Sequence, residues 1–217
     1  MVTKIKNYLL PQLFIIYTRY LIGGAFVFAS VIKIKGHRFT SVSGEDAAIN
    51  TAWHFFETMY QSGLYWNFIG VGQLISGLLL MTQRYAKLGA LLNFPIILNI
   101  FVVTISYNFA GTPLITGFML LANISLILWD YNTFRVLWNQ KPIAEDTSRI
   151  EFHPLWSYLG IILFLFTFSY RWMYNQYNLF VWFGFCFVAG IIGAVIGLRV
   201  FYKRKRIKNE ALASNVL

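Results

Sequence analysis

The chain has 217 residues, of which 58% are hydrophobic, 19% aromatic and only 12% charged. Soluble domains carry about 25% charged residues, so this composition, with a mean hydropathy of +0.58, excludes an ordinary soluble domain and indicates the membrane class. The net charge of +10 sits mostly between apolar runs and in the tail, where it reads as membrane-surface charge and excludes a nucleic-acid partner.

A spanning helix needs about 20 largely apolar residues. Six runs qualify, near 13–32, 66–82, 87–107, 113–130, 155–172 and 178–201. They are continuous instead of alternating, which favours helices over a barrel. Lys4 and Lys6 precede the first run and give it the look of a signal peptide. The run exceeds the ~7–15 apolar residues of such a segment and no small-x-small cleavage site follows, so it reads as a retained first helix. Arg19 lies inside it. A charge at that depth costs roughly 3 kcal/mol in lipid, so Arg19 is expected to face a protein interior or a wet cavity.

The stretch 33–65 is the only sizeable outer segment. Near 45–63 it reads as an interfacial helix, with Trp53, Phe55, Phe56, Met59 and Tyr60 able to touch lipid or the bundle. Lys33 is expected to meet Glu57 or Glu45 there.

In the first four spans, small and polar residues recur every three or four positions. The stripes include Arg19, Gly23, Ser30 and Lys33; Gly70, Gln73, Gly77 and Arg84; Asn93 and Thr104; and Thr112, Thr116, Asn123 and Asp130. Each stripe marks an inward face. Arg19 lies about 9 Å into the first helix at 1.5 Å per residue. Asn93 and Asn123 lie at similar depth, and Asp130 closes the fourth span as the natural counter-ion of Arg19. The expectation is a polar cluster of Arg19, Gln73, Asn93, Asn123 and Asp130. Two readings stand. The groups are inter-helix hydrogen bonds, worth around 0.6 kcal/mol each, or they line a pocket for a quinone-like or other lipophilic head group. Arg19 favours the pocket, because a charge is a costly way to obtain packing.

Residues 139–154 are polar and read as a cytoplasmic loop, dividing a core at 1–138 from a hairpin and basic tail at 155–217. Trp156, Tyr158, Tyr170, Trp172, Tyr174 and Trp182 read as interfacial aromatics on the rims of the hairpin. Gly190, Gly193 and Gly197 suit close helix packing, against this bundle or another copy. With both termini cytoplasmic, Lys4, Lys6, Arg84, Lys87, Arg135, Lys141, Arg149 and the basic residues of 203–208 fall inside, against Lys33, Lys35, Arg38 and Arg171 outside. This fits the positive-inside rule.

Catalytic motifs are absent from the sequence. A single cysteine, Cys186, allows no intramolecular disulfide and no Cys-x-x-Cys relay. His54 and Glu57 lie one turn apart, but three histidines and no Glu-x-x-His pair argue against a metal site. There is no nucleophile elbow, phosphate-binding glycine loop or dinucleotide fingerprint.

The stretch from Arg19 through Gly23 to Lys33 resembles the opening helix of the DoxX family, whose pattern is an Arg, a Gly four residues on and a Lys closing the helix. Gly63-Leu64-Tyr65-Trp66 with Gly72-Gln73-Leu74-Ile75-Ser76-Gly77 is similar to that family's second helix, and Arg84 with 86–92 to its turn and third helix. The resemblance covers about 13–130. It implies a four-helix membrane protein of the bacterial cytoplasmic membrane, in a family named after a subunit of thiosulfate:quinone oxidoreductase, with other members accompanying quinone-handling proteins and a eukaryotic relative acting as a receptor-assembly chaperone. Many members carry Glu where this chain has Gln73, which weakens any proton-handling role, and the hairpin at 155–201 is outside the family pattern.

The expected fold is therefore an all-α polytopic membrane bundle of six spans: a four-helix DoxX-like core plus a C-terminal hairpin. The expected function is a subunit or anchor of a quinone-linked oxidoreductase, with a quinone as its non-covalent ligand, the bilayer and another protein subunit as partners, and electrons supplied by that subunit. The alternative is a non-catalytic assembly or scaffold protein. A small-solute transporter is disfavoured by the short chain and the lack of repeats or broken helices.

Overall fold

A computed structural model describes residues 5–143, 149–176 and 178–214, with the backbone alone at 204, 205 and 207–214. Among the described residues all regular structure is helical. The main helices are α1 (Leu9–Ile34), α2 (Ala52–Gln61), α3 (Leu64–Met81), α4 (Ala86–Ser106), α5 (Thr112–Trp129), a short α6 (Tyr131–Phe134), α7 (Pro154–Met173) and α8 (Leu179–Ser214). Single 3-10 turns occupy Arg135–Trp138 and Ile150–Phe152.

Five helices are long and apolar enough to cross a membrane: α1, α3, α4, α5 and Leu179–Lys203 of α8. The fifth expected run, α7, is as long at 20 residues but more polar, through Ser157, Tyr158, Thr167, Ser169, Tyr170 and Arg171. Two of these, Thr167 and Arg171, are buried against neighbouring helices.

Helix α1 is the axis of the bundle. Its apolar window is 67% buried, against 11% for that of α8. One face of α1 packs Ile15, Ile22 and Phe26 with Leu80 of α3, Ala90 and Ile97 of α4, and Leu120, Leu126 and Trp129 of α5. The opposite face packs Ile16, Tyr20 and Val27 with Met81, Ile150, Trp156, Leu159 and Leu163. The hairpin thus leans on the core through α7, while α8 is peripheral.

A close helix contact joins α1 and α3, where Gly23 and Gly77 face each other. A Cβ on Gly77 would sit 2.7 Å from the Gly23 carbonyl oxygen, and one on Gly23 would sit 2.8 Å from that of Gly77. Bare backbone at both positions is what lets the two helices touch.

Helix order alternates the chain between two ends. One end, called inner here, gathers Gln12, Gln83, Asp130 and 149–153. The other, called outer, gathers Lys33, α2, the 107–111 turn and Arg171. Helix α2 starts within the expected segment near 45–63, its N-terminus capped by Thr51, which accepts from the His54 N–H at 3.3 Å. Its aromatics pack onto the outer turns, Phe56 and Trp53 on Phe109 and Phe55 on Tyr107.

Two sequence expectations change. Trp156 is a core residue with 0% exposure, not a rim aromatic. Its indole N–H donates to the Ile150 carbonyl at 2.9 Å. Trp182 is likewise buried and donates to Thr167 Oγ1 at 3.0 Å. In the expected loop 139–154, residues 144–148 lie outside the described residues, and the last part folds back into the bundle: Ile150 and Glu151 are buried.

Candidate functional site

The polar residues singled out from the sequence fall into separate layers along the bundle. At the inner end, Arg19 Nη2 donates to Asp130 Oδ2 at 3.0 Å and Nη1 to Gln83 Oε1 at 3.2 Å. Glu151 adds a second carboxylate, 3.7 Å from Arg19 Nη1. Trp129 Nε1 donates to that same oxygen, Oε2, at 3.0 Å, and Oε1 lies 2.6 Å from Arg149 Nη1. Gln12 ties the returning chain down, accepting from the Ile150 N–H at 2.8 Å and donating to the Lys6 carbonyl at 2.8 Å. Arg19, Asp130 and Glu151 are all buried. Glu151, Arg149, Gln12 and Gln83 are members that sequence reasoning missed. The signal for Glu151 was a carboxylate two residues after a basic one, just before an apolar run, in a stretch that reads as a solvated loop.

The next layer is an amide pair. Asn93 Nδ2 donates to Asn123 Oδ1 at 3.0 Å, Asn123 Nδ2 donates to the Ala90 carbonyl at 3.1 Å, and Ser76 Oγ donates to Asn93 Oδ1 at 3.4 Å. These bonds close on themselves and join α3, α4 and α5. The expected single cluster of five residues is therefore two separate networks, Arg19 with Asp130 and Asn93 with Asn123, and Gln73 belongs to neither.

Gln73 lines a cavity of about 460 Å³ in the outer half of the core. That volume falls in the range of about 300–1,000 Å³ typical of ligand sites. Phe26, Ile97, Ile100 and Met119 form much of its wall, and Phe39, Phe56, Trp66 and Phe109 its outer part. Helix α3 supplies Gly72 and Gln73, and α4 supplies Pro95, Ile96 and Asn99. Proline lacks the N–H that would bond the carbonyl four residues back, so α4, continuous through Pro95, lacks one backbone hydrogen bond beside the cavity. Phe68, Pro95 and Asn99 are also exposed, which opens the cavity sideways between α3 and α4.

Few polar groups face this space. Thr104 and Thr116 satisfy one another at 2.9 Å. The Gln73 side-chain oxygen is buried with no hydrogen-bond partner. Such an orphan normally finds a partner in water or a ligand. A carboxamide presents either its oxygen or its N–H₂ on flipping, so Gln73 can accept from a hydroxyl or donate to a carbonyl.

Lys33 is the charged group of the cavity lining. Its Nζ donates to the Ala29 carbonyl at 2.9 Å and lies 4.9 Å and 5.1 Å from the ring centres of Phe39 and Trp66. The expected pairing of Lys33 with Glu57 or Glu45 does not occur. Both Glu57 oxygens accept from Arg38 Nε, at 2.8 and 2.9 Å, and one also from the Gly44 N–H at 3.1 Å. Arg38 also lies 3.5 Å from Glu45. The reason is reach: Arg38 lies in the loop facing α2, whereas Lys33 is still in α1 and turns inward. The Arg38 guanidinium holds the Glu57 carboxyl below the usual carboxylate range.

Among the described residues no group of three or more His, Cys, Asp or Glu side chains is placed to hold a metal. A protein of Bacillus subtilis (strain 168) described as "Uncharacterized protein YwoB" is 36% identical over 93 residues, covering 42% of this chain and 57% of the relative. The chain thus spans little more than half the length of the curated relative it matches. No family model and no solved structure matches the chain.

Proposed function

We propose that this chain is a DoxX-like integral membrane protein that holds a quinone-type ligand in the outer-half cavity, as the membrane subunit or anchor of a quinone-linked oxidoreductase. The observation that carries the reading is the unpartnered Gln73 side-chain oxygen in a largely apolar, aromatic cavity of about 460 Å³. A quinone offers carbonyl acceptors on an apolar ring, and its reduced form offers hydroxyl donors. Gln73 serves both by flipping its amide. The lateral opening between α3 and α4 suits a ligand that arrives from the bilayer. The resemblance of 13–130 to a quinone-linked family supports the same class.

A quinone accepts and carries electrons; this chain's residues bind it, orient it and keep it from water. The electron donor is a redox-active partner subunit. Arg19, the sequence-based candidate for quinone contact, has no part in this site, because Asp130, Gln83 and Glu151 occupy its terminal nitrogens.

In this reading α7 is a sixth span, its polar face turned to α1. Both termini lie in the cytoplasm of a bacterial cell, since the inner end carries Arg84, Lys87, Arg135, Lys141 and Arg149. Purification in mild detergent, with lipid extraction and identification of co-purifying proteins, tests the function. A retained quinone and a stoichiometric redox subunit are expected. A non-redox membrane client without quinone would move the assignment to the assembly or scaffold class.

A further inference from the structure

We infer that the outer-half cavity selects a ligand whose head group is anionic, such as an acidic hydroxyquinone, with the Lys33 ammonium as its contact. The inference rests on the quinone reading above and names the charge of the ligand.

Lys33 is buried at 6% exposure and lines the cavity. A buried cation is normally paired with a carboxylate, since desolvation is costly otherwise. Here no carboxylate pairs with Lys33 among the described residues. The two nearest in sequence-based expectation, Glu57 and Glu45, are committed to Arg38. What holds the ammonium is a backbone carbonyl and the faces of Phe39 and Trp66. Cation–π contacts of this kind contribute about 0.5–2 kcal/mol, less than a full counter-ion. The charge that acts on Lys33 from the neighbouring helix is that of Arg171, which has the same sign. Lys33 retains N–H donors beyond the one given to Ala29.

Gln73 lies two turns along the same cavity wall as Trp66 and supplies a second polar contact. A ring ligand with an ionised hydroxyl toward Lys33 and a carbonyl toward Gln73 satisfies both. A neutral quinone would meet Gln73 but leave the Lys33 charge uncompensated.

The test uses the full chain in detergent or nanodiscs and two probes: an alkylated hydroxynaphthoquinone, ionised at neutral pH, and its neutral methyl ether. Affinity is read by tryptophan quenching. Wild type is expected to bind the ionised probe roughly tenfold tighter, and Lys33→Met to bring the two affinities level while still binding the ether. Lys33→Gln provides a second neutral variant in case the methionine disturbs packing, and retained ether binding reports that the cavity is intact. Equal wild-type affinities, or a preference that survives in both variants, would overturn the charge selection and leave the quinone reading standing. Binding of neither probe by wild type would overturn both.

Discussion

Arg19 and Asp130 bind the inner end of the bundle together, and the cost of separating them is the clearest residue-scale consequence. Breaking a buried ion pair by removing one partner costs about 3–5 kcal/mol, because the other charge is left uncompensated. Arg19→Gln and Asp130→Asn are each expected to lose stability of that order, measured by thermal unfolding in detergent. The double variant is expected to lose clearly less than the sum; strict additivity would mean the two groups do not interact. At the outer end, Glu57 gives a pH dependence. Its folded-state value is depressed, chiefly by Arg38. Its bond therefore contributes stability above the unfolded-chain value of about 4.3, and that contribution is lost as pH falls through the lower folded value. The stability excess of wild type over Glu57→Gln should be constant above about pH 5 and shrink toward acid. An excess independent of pH would show that Glu57 does not titrate against Arg38. Arg19 was legible in the sequence because a lone charge inside an apolar run needs an interior partner, and Asp130 stood at the right helix end. Glu151 and Arg149 were not, because a polar stretch carries no sign that it folds back. Lys33 was legible as an inward cation but not its lack of a carboxylate, since pairing across a loop depends on reach.

At the scale of helices, the α1–α3 contact depends on Gly23 and Gly77. A side chain on Gly77 must displace the backbone of α1. Gly77→Leu is expected to cost about 1–3 kcal/mol or more by overpacking, read as lowered thermal stability, whereas Gly72→Ala, whose added Cβ would lie an ordinary 3.7 Å from Ile96, should be tolerated. Equal tolerance of both would contradict the close contact. The small stripe of α8 is spent inside the chain: Gly193 and Gly197 face Leu159 and Trp156 of α7. That stripe left open whether the partner was this bundle or another copy, because spacing gives a face but not its occupant. The same limit explains Trp156. A tryptophan at a span end reads as interfacial, and the return of Ile150 together with the packing of α1 and α8 makes it core. Helix positions, in contrast, followed directly from the apolar runs, since backbone groups in lipid must bond within their own segment.

For the molecule as a whole, the layers have a consistent order: an ion network at the inner end, an amide pair in the middle and an apolar cavity with Lys33 and Gln73 toward the outer end. With Cys186 replaced by alanine, single-cysteine variants read the topology. Asp46→Cys is expected to react with an impermeant maleimide in intact cells, and Asn7→Cys and Lys141→Cys only after permeabilisation. Labelling of all three from outside would contradict the orientation. The cavity itself was only half legible. Gln73 was marked as an inward polar group, but the space around it is enclosed by residues of α1, α3, α4, α5 and the outer segment together, and no one residue carries that. The most direct measurement is photo-crosslinking with a quinone bearing a photoreactive group, followed by mapping of the adduct by mass spectrometry. The expected result is saturable labelling of Trp66, Phe68 or residues 95–100, competed by unlabelled quinone and lost when Gly72→Phe fills the cavity. Non-saturable labelling, or adducts confined to the lipid-facing surface of α8, would contradict a quinone site in this cavity.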